Sequence, residues 1–244
     1  MRYKMLLIGL LVLAGGGTPN FIWADETLDA DLIHEYKKIL SELSSEPEDT
    51  ATLKETGKLY YFIGEVSHDR DTIKKAVSIL ENVLEKESGD AEVKVYLGSA
   101  YTLKARDFPL RWLANITPLG WIRIYYVRSG VNMMNDGVKA DELNPVARLI
   151  RGMTRVNLPK AFLGFKGGME DLELVLSWIK CPALNAKYDD IITDKGFISD
   201  ASYRIGEVYF KEGDREKAVM LFKNAASLIP DSPIGRAAVR RLNE

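Results

Sequence analysis

The chain has 244 residues but one cysteine, Cys181, and two histidines, His34 and His68. A single cysteine excludes an intramolecular disulfide and any cysteine-based zinc cluster. Neither histidine has a second histidine or a cysteine at helical spacing. The sequence also lacks a nucleophile elbow, a phosphate loop, a glycine-rich dinucleotide turn and a zinc-protease signature. Positive charge is not in excess. The formal net charge is −2, without the basic field that nucleic-acid binding needs. The run DDIITDKGFISD, Asp189 to Asp200, has the flavour of a calcium loop, but Ile192 stands where an oxygen ligand is required. These absences predict no enzyme, no metal, no cofactor and no nucleic-acid partner.

Long apolar runs are scarce as well. Met5 to Ala14 follows the basic residues Arg2 and Lys4, and Gly15-Gly16-Gly17 breaks it. Ala24 then offers a small residue for cleavage, so residues 1–24 read as a secretory signal peptide. The alternative is a retained anchor, because no charge occurs between Lys4 and Asp25. Ten apolar residues are short for a span, and no cysteine follows to carry a lipid. The expectation is an exported chain, periplasmic or extracellular, with no transmembrane span in residues 25–244. Cleavage removes two positive charges and no negative one, leaving −4.

The rest is 46% hydrophobic and 28% charged over the whole chain, ordinary for a globular protein. Its apolar residues recur at helical spacing. Leu32, Tyr36, Ile39, Leu40 and Leu43 share one face. Val146, Leu149, Ile150, Met153 and Val156 share another. The residues from Met169 to Trp178 read as a further helix after a loop at 160–168, and 182–195 reads as a connecting loop. Residues 25–244 are predicted to form a single all-α domain.

Near the end stands SDASYRIGEVYFKEGDREKAVMLFKNAASLIPDS, Ser199 to Ser232. Counting Ser199 as position 1, Ile205, Gly206, Tyr209, Ala218, Phe222, Ala225 and Pro230 fall at 7, 8, 11, 20, 24, 27 and 32. This pattern resembles the tetratricopeptide repeat, a 34-residue pair of helices. Ser202, where tryptophan is usual, departs from it. From Gly57, the residues Tyr60, Ile63, Gly64, Ala76, Leu80 and Val83 keep the same phase, and Leu97, Gly98 and Tyr101 keep it from Ala91. The resemblance implies antiparallel helix pairs stacked into a right-handed superhelix. Repeats fall at about 57–90, 91–142 with an insert, 143–181 in degenerate form, and 199–232, with a terminal helix at 232–243. That last helix should cap the stack, with Arg236, Arg240 and Arg241 outside.

The family lines a concave groove with the first helix of each repeat. Carried over by position, the resemblance places Tyr61, Glu65, Ser99, Thr102, Tyr203, Glu207 and Phe210 there. Lys58, His68, Glu92, Val95 and Lys211 fall at groove positions too. In the degenerate repeat Asn144, Arg151 and Arg155 are the candidates. Arg148 joins Arg151 and Arg155 on one helical face, and three guanidinium groups together would fit a small anion. The alternative is a solvated basic face paired with acids such as Glu142 or Glu170.

The insert at 105–128 carries Trp112, Trp121, Tyr125 and Tyr126, with Arg111, Arg123 and Arg128. One reading is an aromatic flap or a membrane-contacting edge. The favoured reading is a lengthened helix whose aromatics pack in the core. Asn115-Ile116-Thr117 forms a glycosylation sequon by pattern. The function expected is a scaffold holding a protein or peptide in its groove. The rival is a small-ligand-handling accessory to an extracytoplasmic solute transporter.

Overall fold

The computed structural model describes residues 26–43, 49–108, 119–159, 162 and 164–244. The signal segment, Trp112 and the sequon lie outside the described residues.

The helices, in chain order, are α1 (Glu26–Glu42), α2 (Thr50–Ser67), α3 (Arg70–Lys86), α4 (Ala91–Arg106), α5 (Leu119–Ala140), α6 (Pro145–Asn157), α7 (Phe165–Lys180), α8 (Asp189–Ile192), α9 (Lys195–Glu212), α10 (Arg215–Leu228) and α11 (Pro233–Leu242). A 3-10 helix spans Pro182–Tyr188. No strand occurs among the described residues.

Local chemistry sets most helix starts. Asp49, Asp69, Asp90, Asn144, Asp194, Asp214 and Ser232 each accept a backbone N–H of the turn they precede. Such a cap satisfies one of the orphan donors at a helix start, and each contributes roughly 1 kcal/mol. Gly213, at φ +87°, ends α9 in the left-handed region that costs glycine nothing.

Neighbours in sequence pack as antiparallel pairs: α2 with α3, α4 with α5, α6 with α7, and α9 with α10. The chain is therefore an all-α helical repeat. The first helices also meet from pair to pair, α2 with α4, α4 with α6 and α6 with α9, and so line a common inner face. The apolar core falls into two clusters. One gathers Tyr61, Ile73, Leu80, Leu97, Met134 and Ile150, and the other Leu149, Leu172, Trp178, Ile205, Phe222 and Ala237.

Several boundaries differ from the sequence expectation. Helix α2 starts at Thr50 and α9 at Lys195, both ahead of the repeat's first position, because Asp49 and Asp194 cap them there. The expected loop at 160–168 gives way to helix from Phe165, so Gly167 and Gly168 lie inside α7. Glycine is used there for closeness rather than for a turn: a Cβ on Gly168 would stand 2.9 Å from the Gly152 carbonyl oxygen of α6. The expected loop at 182–195 carries the 3-10 helix and α8. Arg240 and Arg241 are only part-exposed, not outside.

Helix α1 packs on α2 and also touches α11, so the first and last described helices meet. Its Leu32 is buried in the C-terminal core cluster, and Tyr36 stacks on Phe62 of α2 with centroids 5.4 Å apart. Arg236 of α11 bonds Asp31 at 2.7 Å. Ile39, expected on the apolar face, stays 40% exposed.

Candidate functional site

The inner face is built from side chains on α2, α4, α6 and α9, and most of it is closed. Tyr61, Ser99, Thr102, Tyr203 and Glu207 are all buried. Glu65, Phe210 and the three arginines remain part-exposed. Asn144 does not line this face; its carboxamide oxygen caps α6 by accepting from Ala147 N.

In the first half a chain of hydroxyls leads to a carboxylate. Tyr61 Oη donates to Glu65 Oε1 at 3.1 Å and lies 3.0 Å from Ser99 Oγ. Ser99 Oγ in turn lies 2.8 Å from Thr154 Oγ1. Tyr61 gives its one hydroxyl proton to Glu65 and Thr154 gives its own to the Ile150 carbonyl at 2.8 Å, so the single Ser99 proton serves one hydroxyl neighbour at a time. These side chains tie three consecutive pairs together.

The last pair joins this chain through Arg204, which is 3% exposed. Its Nη1 lies 3.5 Å from Glu65 Oε2, its Nε bonds Asp200 at 2.7 Å, and its guanidinium covers the Phe62 ring at 5.6 Å. Burial pushes the Tyr36 hydroxyl of α1 up, with nearby Arg204 opposing that shift. Glu207 is forked by Arg241 of α11 at 2.6 and 3.0 Å. Burial raises the Glu207 carboxyl even so, against the pull of Arg241.

Arg106, 8% exposed, reaches from the end of α4 to the last turn of α2 and donates to the carbonyls of Glu65 and Gly64. A guanidinium there satisfies carbonyls that the helix leaves unpaired. It also bonds Asp107, which lies 3.5 Å from His68.

The three predicted arginines are not a free trio. Asp171 of α7, 2% exposed, takes Arg148 at 2.8 Å and a fork from Arg151 at 2.7 Å on both oxygens. The expected anion is thus largely supplied by the chain itself, from Asp171 rather than Glu142 or Glu170. The Glu142 backbone carbonyl does accept from Arg148. Arg155 differs. It donates to Asn135 Oδ1 at 2.6 Å, and no carboxylate among the described residues lies within ion-pair distance of it. Burial, then the charge of Arg151, lowers its proton affinity.

Arg204, Asp171, Arg106 and Tyr36 were not predicted as site residues. Asp171 was legible: it shares a face with Val175 and Trp178, and an acid on a buried face needs a cation. Arg204 stands four residues from Asp200, the spacing of a helical ion pair, but its reach to Glu65 spans 139 positions and needs the fold.

The favoured core-packing reading of the insert fails for two of its aromatics. Trp121 is 52% and Tyr125 66% exposed on α5, because their side of the helix faces away from α4. Tyr126 does pack, against Tyr101 and under Lys104. No helix among the described residues is long and apolar enough to cross a membrane. No protein-family model matches the chain, and no match emerges among curated proteins or among solved structures.

Proposed function

We propose that the chain is an exported, non-catalytic tetratricopeptide-type scaffold that binds a helical segment of a partner protein on its inner face. The observation that carries this reading is α1. It is a helix lying between the first and last pairs, with Leu32 and Tyr36 as anchors one turn apart beside Glu65 and Arg204. Anchors at that spacing are how an amphipathic helix is read by a groove. Among the described residues α1 has one buried anchor, Leu32, and one exposed ion pair, so few contacts oppose its exchange.

The test uses the full chain. In a Leu32→Glu/Tyr36→Glu variant α1 is dislodged, and a synthetic peptide of residues 26–42 should bind in trans and restore hydrogen-exchange protection to α2 and α9. The unaltered chain should not bind it. A folded variant that ignores the peptide would overturn the reading.

Arg155 favours a second reading, the handling of a small anion as an accessory to a solute transporter. An arginine without a carboxylate, beside two that share one, leaves net positive charge on α6. Calorimetry with phosphate and with a dicarboxylate tests it. Arg155→Ala should weaken binding by roughly ten-fold or more.

A further inference from the structure

The exposed side of α5 carries Trp121, Ile122 and Tyr125, at 52%, 42% and 66% exposure. Trp121, Tyr125 and Arg128 are spaced i, i+4 and i+7, so they form one stripe, and Arg128 is exposed as well. Large apolar residues seldom stand together on an exposed helix face without a partner. The charge around them is one-sided. From Leu119 to Asn135 the sequence holds Arg123 and Arg128 and no acid, although the whole chain is net negative; Arg123 donates to the Ala105 carbonyl, which leaves Arg128 on the stripe. Lys104 adds a cation over the neighbouring Tyr126 ring. The nearby acid Glu81 of α3 accepts a bond from Tyr101.

We propose that this end of the α4–α5 pair is a docking edge for an anionic lipid surface. Tryptophan and tyrosine favour the level of lipid headgroups, where one end of the ring is wet and the other apolar. Arginine beside them is drawn to anionic headgroups. The patch lies on a helix face, not in a groove that would hold a peptide. Three side chains also fall well short of the ~800 Å² per partner that a stable protein interface needs. A bilayer requires no matching shape and tolerates a small patch. The edge contacts the membrane without crossing it.

A local probe separates this edge from any binding by the apolar start of the chain. In full-length protein carrying Cys181→Ser, a polarity-sensitive fluorophore is placed on Ile122→Cys or, as a control on α10, on Met220→Cys. The vesicles are phosphatidylcholine alone or mixed with phosphatidylglycerol. The expected result is a blue shift and several-fold brightening at position 122 with anionic vesicles only. That signal should be lost in Trp121→Ala/Tyr125→Ala and weakened several-fold by Arg128→Glu. No change at position 122 would overturn the proposal, as would an equal change at 220. A change without vesicles on concentrating the protein would also overturn it, since a second copy would then cover the face.

Discussion

The last helix pair, α9 with α10, and the long pair, α4 with α5, solve one packing problem in opposite ways. In the last pair a small residue meets a large one: a Cβ on Gly206 would stand 2.8 Å from the Phe222 ring, and Ala218 is wholly buried beside it. In the long pair small meets small. A Cβ on Gly130 would stand 2.3 Å from the Gly98 carbonyl oxygen, and one on Gly137 would stand 2.6 Å from Ala91 O. The first arrangement leaves a side chain between the helices, and side chains can shift. The second brings backbone against backbone, which cannot. A fixed pattern of small and large positions describes only the first.

The sharpest way to break the comparison is Gly130→Ala. Helix propensity alone would favour alanine by about 1 kcal/mol. The clash with a backbone carbonyl should outweigh that and destabilise by ~3 kcal/mol, the upper end of overpacking costs. The denaturant midpoint reads it directly. A midpoint that rises would mean the two helices do not touch at Gly98. Ala218→Leu in the last pair comes next, with an expected loss of about 2 kcal/mol, because Phe222 and its neighbours can partly make room. Gly206→Ala should cost about 1 kcal/mol or less, since the first atoms met belong to a ring. If Gly206→Ala proved costlier than Gly130→Ala, the contrast between the pairs would be lost.

These two pairs also show what the sequence discloses. In the last pair Ile205, Ala218, Phe222 and Ala225 are all fully buried, as the signature positions imply. In the first, Ala76, Leu80 and Val83 are too. Such contacts join residues close in sequence, and their periodicity is written in the chain. The candidate site was less legible. Tyr61, Ser99 and Glu207 are buried, and the pattern gave no sign that they would be bonded to Glu65, Thr154 and Arg241. Those partners come from other pairs, set by how the stack curves. The same holds for α1, whose apolar stripe was plain but whose place between α2 and α11 was not. Exposure of Trp121 and Tyr125 was missed because spacing shows which residues share a face, not which way the face turns.

The smallest expected effect concerns the turns after α4 and α9. Asp107, at the end of α4, has a side chain 9% exposed, whereas that of Asp214, after α9, is 38% exposed. Burial alone would raise the Asp107 carboxyl, but bonds from His68 and Arg106 outweigh it and hold it below the ordinary value. The sign follows from linkage. A carboxyl held low in the folded state contributes stability above its unfolded value, about 3.9, and loses it as pH falls through the folded one. Asp107→Asn keeps one of the two oxygens that accept from Arg106 and removes the charge and the other acceptor. It should therefore cost about 1 kcal/mol or less at pH 7, and nothing at a pH low enough to protonate Asp107. The measurement is the urea midpoint of both proteins from pH 7 down to pH ~2, well below the ordinary carboxylate range. The two curves should converge at the acid end. Parallel curves would mean that the Asp107 charge does nothing for the α4 turn. Hydrogen exchange at the acid end should then show α4 and α5 loosening before α9 and α10. Simultaneous loosening would mean that the backbone contact at Gly98 and Gly130, not the ion cluster at the turn, sets the acid stability of the long pair.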